Sequence, residues 1–491
     1  MNPLKKLLQQ TAVYGLSSIF GRALNYLLVP LYTRIFSQAT YGIVTEMYAY
    51  VGFFIVLLTY GMETAFFRFI NKRENKYQIY STALISLIVS SSVFLVIAFA
   101  FKNQIANFIQ YPQNSEYVVW FAIILAFDAI GAIPFAKLRA ENKAGKFALI
   151  KLTEIGVNIG LNVFFLVICR NAADGSLLSS FYNPTIGVGY IFISNLVASI
   201  VKMVLLLPML QAIKNGFNSP VFKQMLKYAW PLIFVGLAGV ANEMLDRTLL
   251  KYLLPYDNEK NMAMLGVYGA CYKLSILMTL FNQAFRYAGE PFFFNMSNDK
   301  NATKIYALVL KYFTIFGASI FLIITCYMDV FKHFIGSDFW DGLSIVPILL
   351  LANLFLGIMI NINIWYKLTD KNSIGALVAI GGALLTVVLN VLWIPTFGYV
   401  GSAWATLIVY GLMALASYLL GQKYYPVKYP VRKILLYLGL AIGLFFISKF
   451  FHQTLEVRGL KYAIQTALVL TYFFVVWIFE KKQLLGFIKK T

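Results

Sequence analysis

The chain has 491 residues, of which 60% are hydrophobic and only 12% are charged, yet its formal net charge at pH 7 is +21. This composition excludes an ordinary soluble globular domain, in which about a quarter of the residues are charged. The excess Lys and Arg residues lie in short loops between apolar stretches, so they indicate membrane orientation and contact with anionic lipids rather than nucleic-acid binding.

Fourteen apolar segments follow one another, each with about 17 or more residues, enough for a helix to cross the hydrocarbon core of a bilayer. They are residues 11–33, 41–67, 80–101, 117–136, 147–169, 186–210, 226–250, 263–289, 305–327, 343–366, 373–394, 399–421, 433–449 and 460–479. The stretches between them reach only about 15 residues, which leaves no room for a soluble domain. We therefore predict an all-α polytopic membrane protein with about 14 transmembrane helices.

The basic residues alternate between the two sides of this predicted topology. Lys and Arg are concentrated in the two termini and in the even-numbered loops, such as 68–79 and 137–146. Because cytoplasmic loops carry such an excess, both termini are predicted to be cytoplasmic. The first segment follows Lys5 and Lys6 directly and lacks a small-residue cleavage site, so we expect it to act as an uncleaved insertion signal.

A repeated pattern relates the two halves of the chain. Lys137, Leu138, Asn142 and Gly145 recur at an offset of 230 as Lys367, Leu368, Asn372 and Gly375. Asn162 and Val163 recur nearby as Asn390 and Val391. Since six helices return a chain to its starting side, the halves should be related by an axis along the membrane normal. We predict six-helix lobes at 1–215 and 222–421, in a pseudo-two-fold arrangement, and two extra transmembrane helices with a basic tail at 422–491.

Two stretches resemble a known family of membrane transporters. The first contains Tyr14, Gly15, Gly21, Arg22, Pro30, Leu31, Tyr32, Thr33, Arg34, Tyr41 and Gly42, and the second contains Asp246, Arg247, Gly266, Val267, Tyr268 and Lys273. Both resemble the bacterial polysaccharide transporter family, whose members are O-antigen or oligosaccharide-unit lipid flippases. That family belongs to the multidrug/oligosaccharidyl-lipid/polysaccharide superfamily, which also includes multidrug and toxin extrusion exporters and the lipid II flippase.

The resemblance implies a function and a location. The implied function is alternating-access movement of undecaprenyl-diphosphate-linked oligosaccharide units from the cytoplasmic to the outer leaflet of the bacterial inner (plasma) membrane, for surface polysaccharide export. The implied partners are this lipid-linked substrate, membrane lipids, and a polysaccharide polymerase with its export machinery. A multidrug or organic-cation exporter of the same fold is the alternative, and a lipid II-type peptidoglycan precursor flippase is the second alternative.

Cationic residues inside the segments are candidates for binding the diphosphate of such a cargo. The planar guanidinium of Arg matches phosphate oxygens, and Arg22 lies near the middle of the first segment, too deep to reach the interface easily. We predict that Arg22 and Lys273 bind the substrate, with a structural ion pair as the alternative for each. Arg247 is a third candidate, although a structural ion pair with the adjacent Asp246 is favoured there.

Two acidic residues lie in adjacent, otherwise apolar segments. Asp128 is in the fourth segment and Glu154 in the fifth, and either could take part in coupling transport to a proton or Na⁺ gradient. The alternatives are a partner for Arg22 or a buried neutral acid.

Enzymatic chemistry has little support in the sequence. His333 and His452 are isolated in predicted outer loops, and no nucleophile motif, metal-ligand spacing or phosphate-binding glycine loop is present. The three cysteines are far apart in apolar surroundings. We expect a transporter with no cofactor, no metal site and no nucleic-acid partner.

Overall fold

A computed structural model describes residue 21 and residues 23–70, 75–173, 175–297 and 299–488. The described residues form two compact units, one ending at Gly266 and the other beginning at Val267. In the first unit the α-helices are α1 (Val29–Ile35), α2 (Gln38–Thr59), α3 (Met62–Ile70), α4 (Lys76–Ala100), α5 (Lys102–Phe108), α6 (Ser115–Ala140), α7 (Ala144–Val163), α8 (Gly189–Leu210) and α9 (Ser219–Leu253). A π-helical turn, Phe164–Cys169, extends α7.

Helix α10 (Asn258–Leu274) runs from the first unit into the second. The remaining α-helices are α11 (Ile276–Met296), α12 (Ala302–Cys326), α13 (Met328–Phe331), α14 (Val346–Ile362), α15 (Ile364–Leu368), α16 (Asn372–Tyr424), α17 (Val431–Thr454) and α18 (Arg458–Ile488). The lobe boundaries predicted from the repeat stay a prediction.

The transmembrane segments expected from hydropathy correspond closely to these helices. Within the described residues, 11 helices are long and apolar enough to span a membrane, or 12 if the bent pair α10 and α11 counts as one span. Two differences from the predicted fourteen have simple origins. Residues 11–20 and 22 of the first predicted segment, 11–33, lie outside the described residues, and α16 contains the eleventh and twelfth segments as two helical parts that meet at a kink.

A sharp kink separates those two segments within α16. Gly398 has φ 59° and ψ −145°, a backbone conformation that is open to glycine but strained for other residues. Pro395 lies one turn earlier and cannot donate a backbone hydrogen bond. The chain therefore reverses at the 395–398 connection that the sequence predicts.

The two halves share local geometry, but at a different register from the sequence match. Helix α6 ends at Ala140 and α15 ends at Leu368, and each is followed two residues later by a left-handed residue, Asn142 with φ 57° or Asp370 with φ 55°. These positions differ by 228, as do Asn162 and Asn390. The predicted offset of 230 for the Lys137 and Lys367 motifs is therefore wrong for this connection by two residues, because the backbone geometry of the helix ends, rather than letter identity, defines which positions are equivalent.

Asn162 and Asn390, which also differ by 228, share one of their hydrogen bonds and differ in the other. Both are fully buried. The Asn162 amide donates to the carbonyl oxygen of Asn158 at 2.8 Å, and its oxygen accepts from the Tyr32 hydroxyl at 2.8 Å. Asn390 likewise donates to the carbonyl four residues earlier, at 2.8 Å, and accepts from the Ser402 hydroxyl at 2.7 Å. Asn162 thus joins α7 to α1, and Asn390 joins the two parts of α16 across its kink; buried amides of this kind are typical where no water is available.

Candidate functional site

Of the three predicted cationic ligands, the structure describes two, Lys273 and Arg247. Arg22 lies outside the described residues. Lys273 is half-buried near the end of α10, directly before the 53° bend at Ser275. Interrupted helices of this kind are typical of transporters, where they line cavities and expose backbone groups to cargo.

Arg247 is held in place by groups of its own helix, α9. Its guanidinium lies 3.6 Å from a carboxylate oxygen of Asp246 and also donates to the carbonyl of Glu243. The same Asp246 oxygen accepts the backbone N–H of Arg247 at 2.8 Å. Asp246 is only 4% exposed, so this charge pair is shielded from water. The guanidinium is therefore oriented by its neighbours.

The two acidic candidates meet at a lysine that the sequence analysis did not single out. Lys202 of α8 is 2% exposed, and its ammonium donates to Asp128 of α6 and, at 2.8 Å, to Glu154 of α7. The other oxygen of Glu154 accepts from Lys151 at 2.9 Å. We call these four residues the α6–α8 charge cluster. The sequence did contain a signal for Lys202, which lies within the apolar segment 186–210. A lysine in such a segment costs free energy unless it is paired.

The α6–α8 charge cluster is electrically balanced. Two carboxylates face two ammonium groups, and the central ammonium of Lys202 occupies the space between Asp128 and Glu154. Asp128 keeps about a third of its side chain exposed (34%), whereas Glu154 is more enclosed. A tethered cation therefore stands between the two carboxylates proposed for ion coupling.

A second buried network joins α2, α9 and the segment after α5. Glu46 is fully buried, and its two oxygens lie 2.9 and 3.0 Å from the ammonium of Lys251. The hydroxyl groups of Tyr50 and Tyr111 also donate to this carboxylate. Lys251 donates further to the carbonyl of Ile109 at 2.6 Å. Because both ions are well supplied with hydrogen bonds, burial is tolerated.

The last two helices are joined to α12 by a third buried network. Glu480 of α18 is fully buried and accepts hydrogen bonds from Lys311 of α12, from Lys433 of α17 at 2.8 Å and from the Tyr437 hydroxyl at 2.7 Å. The carboxylate is thus shared by three helices. This network fixes α17 and α18, the segments beyond the repeat, to the preceding bundle.

His452 is not isolated as expected. Its imidazole contacts Asp329, and Lys332 donates to the same carboxylate at 2.7 Å. Burial raises the pKa of Asp329, but the hydrogen bonds and charges of Lys332 and His452 outweigh it and hold the pKa below its usual value. No group of three or more His, Cys, Asp or Glu side chains suited to a metal occurs in the described part of the chain.

Known proteins resemble this chain in sequence. The family model described as "Polysaccharide biosynthesis protein" matches residues 7–297, more than half of the chain. A curated relative, the "Probable low-salt glycan biosynthesis flippase Agl15" of Haloferax volcanii, is 19% identical over 407 residues, which cover 81% of this chain and 79% of the relative.

Solved structures share the fold. The lipid II flippase MurJ in an inward closed conformation superposes with a TM-score of 0.71 at 15% identity, covering 96% of this chain and 99% of that one. The multidrug transporter DinF-BH of the MATE family has a TM-score of 0.61 at 16% identity, with coverages of 87% and 97%. At these identities the likeness establishes the architecture, which agrees with the predicted fold class. The chain is a multi-pass membrane protein that belongs to the polysaccharide biosynthesis protein family.

Proposed function

We propose that this protein is a flippase that moves an undecaprenyl-diphosphate-linked oligosaccharide from the cytoplasmic to the outer leaflet of a bacterial plasma membrane. The observation that carries the proposal is the family match over residues 7–297, supported by the glycan flippase among its relatives. The termini are assigned to the cytoplasm from the distribution of Lys and Arg. A polymerase that consumes the exported unit is the expected downstream partner.

The charge distribution supports an anionic cargo. A diphosphate carries about two negative charges, and fixed cations, Arg above all, bind it well. Arg22, Lys273 and Arg247 are the proposed ligands. The Asp246 and Glu243 contacts of Arg247 hold its guanidinium in one orientation, which lowers the entropy lost when it binds a second anion. An organic-cation exporter would instead need unpaired acidic groups to bind its cargo.

The α6–α8 charge cluster bears on the energy source. Asp128 and Glu154 are neutralised by Lys202 and Lys151, so transport does not need a proton or Na⁺ to balance them. We therefore propose that these acids are structural and that the membrane potential acts on the charge of the cargo itself. The potential is worth roughly 2.3 kcal/mol per charge per 100 mV, or about 5 kcal/mol for a cargo with two charges.

The test is export of surface polysaccharide in a cell that depends on this chain. Arg22→Ala should abolish export while the amount of protein in the membrane stays normal, and Arg22→Lys should restore it only in part, since a point charge lacks the planar fork. Lys102→Ala, at an exposed position at the start of α5, is the matched control and should export normally. Normal export by both Arg22 variants would remove Arg22 from the binding site, and loss of the protein would favour the structural ion pair.

A further inference from the structure

The second unit contains a large apolar cavity that the proposed transport does not use. Its volume is about 820 Å³, and its walls come from α12, α14, the second half of α16, and α17. Aromatic and aliphatic side chains dominate these walls, among them Phe321, Leu351, Leu407 and Phe445. We call this the chain chamber.

The chain chamber opens sideways between two helices. Trp404 of α16 and Phe446 of α17 line it, yet their side chains are 47% and 60% exposed. Both residues lie in helices that qualify as membrane spans, so the opening faces hydrocarbon. An apolar space connected to the bilayer fills with lipid chains rather than with water, because water there would lack hydrogen-bond partners.

A second, polar cavity of about 370 Å³ adjoins one end of the chain chamber, since both are lined by Asp329, Lys332 and His452. We call it the head chamber. Lys461 also lines the head chamber, and Lys449 lines the chain chamber. Three lysines against one aspartate leave this end positively charged, and neither Lys449 nor Lys461 forms an ion pair with any described residue.

A buried amide is a further observation that points to a ligand site. Gln465 of α18 lines the chain chamber and is only 3% exposed, yet its side-chain oxygen accepts no hydrogen bond from any described group. A buried amide oxygen without a donor costs free energy, so a ligand that brings a hydroxyl donor would be favoured here.

These features together describe the shape of one amphiphile. We propose that the two chambers form a binding site for an anionic glycerophospholipid with hydroxyl groups on its head, with one acyl chain in the chain chamber and the phosphate among Lys332, Lys449 and Lys461. The Gln465 oxygen accepts a hydroxyl of the head group. A neutral zwitterionic lipid would leave the excess lysine charge unbalanced.

The volume of the chain chamber argues against the tail of the transported cargo as the occupant. An acyl chain of about 16 to 18 carbons fills roughly 500 Å³ at the packing density of organic solids. One such chain fits in 820 Å³ with space for the glycerol region. A complete undecaprenyl tail is about three times longer and does not fit.

The experiment is native mass spectrometry of the purified, delipidated full chain titrated with phosphatidylglycerol, and in parallel with phosphatidylcholine and undecaprenyl phosphate. We expect one phosphatidylglycerol to bind at least five times more tightly than phosphatidylcholine. Lys449→Ala should remove most of that preference, and Gln465→Leu should weaken phosphatidylglycerol several-fold. Lys102→Ala, an exposed lysine of the first unit, is the control and should bind as the unmodified protein does.

The chain chamber is tested separately from the charges. Leu407→Trp fills the chamber and should prevent retention of the lipid, whereas Leu412→Trp, exposed on the same helix outside the chamber, should not. Equal affinity for phosphatidylglycerol and phosphatidylcholine, tighter binding of undecaprenyl phosphate than of phosphatidylglycerol, or unchanged binding in both Lys449→Ala and Leu407→Trp would overturn the proposal. The readout is binding, so it stands or fails independently of export.

Discussion

The ammonium of Lys251 lies 2.9 and 3.0 Å from the two carboxylate oxygens of Glu46, and both side chains are fully enclosed. Glu46 belongs to α2 and Lys251 to the last turn of α9, which are far apart in the chain. Tyr50 and Tyr111 complete the shell of donors around the carboxylate. The pair therefore joins the interior of α2 to the last turn of α9 through charge.

Replacing one member of this pair should be far more damaging than replacing both. Lys251→Met leaves a buried carboxylate without its cation and should destabilise the fold by about 3–5 kcal/mol. The double variant Glu46→Gln with Lys251→Met removes both charges and should recover most of that loss. Thermal unfolding of detergent-purified protein measures the difference. A double variant as unstable as Lys251→Met would show that the charges themselves are not responsible.

In the α6–α8 charge cluster, replacing the central lysine alone should likewise be more damaging than replacing it together with one of its acidic partners. Lys202→Met leaves Asp128 and Glu154 close together without the intervening ammonium, so folded protein should be largely lost from the membrane. Adding Asp128→Asn should restore much of it, since only Glu154 then stays charged, paired with Lys151. Size-exclusion profiles of tagged protein report the folded amount. If Lys202→Met alone is as abundant as the unmodified chain, Lys202 is not the cluster's central cation.

A close backbone approach links α2 with α10. A Cβ atom at Gly266 would overlap the carbonyl oxygen of Gln38 and lie 3.0 Å from the backbone nitrogen of Gly42. Gly266→Ala should therefore force the helices apart and cost about 1–3 kcal/mol. Gly239→Ala in α9, where nothing lies within 4 Å of the new methyl group, is the control and should be neutral or slightly stabilising. Equal unfolding temperatures for the two variants would contradict the close approach.

Asp329 should contribute to stability in a pH-dependent way. Its carboxyl pKa is held below the ordinary value by Lys332 and His452 despite burial, and Lys449 and Lys461 add positive charge at the neighbouring chambers. A lowered pKa in the folded state means that the contribution is complete above the unfolded pKa of about 4 and is lost as the pH falls further. Asp329→Asn should thus lower the unfolding temperature at pH 6, and the difference from the unmodified protein should shrink towards pH 3. A difference that stays constant would oppose this assignment.

The proposed driving force predicts voltage dependence. In proteoliposomes, flipping of a diphosphate-linked substrate should respond to an imposed potential even without a proton or Na⁺ gradient, because the cargo carries the charge. Dissipating the potential with an ionophore is the control. Transport that ignores voltage but needs a pH or Na⁺ gradient, and is lost in Asp128→Asn or Glu154→Gln, would make those acids the coupling site.

The sequence alone determined the membrane class, the positions of nearly all the long helices and the family. Thirteen of the predicted segments coincide with helices of the described chain, since a bilayer demands long uninterrupted apolar stretches that can be read residue by residue. Asp128 and Glu154 could be chosen as notable for the same reason, because intramembrane acids are rare.

Only the tertiary structure decided which charges meet. Lys202 and Lys251 could not be matched to Asp128 and Glu46 from the sequence, because those partners are separated by 74 and 205 residues and pairing depends on helix rotation. The offset between equivalent positions of the two halves is 228 at the α6–α7 and α15–α16 connections, whereas the sequence match predicts 230. The reason is related, because equivalent positions are set by where the helices end. The chain chamber and the head chamber likewise lie between helices that are distant in sequence. A cavity is a property of packing that no single segment encodes.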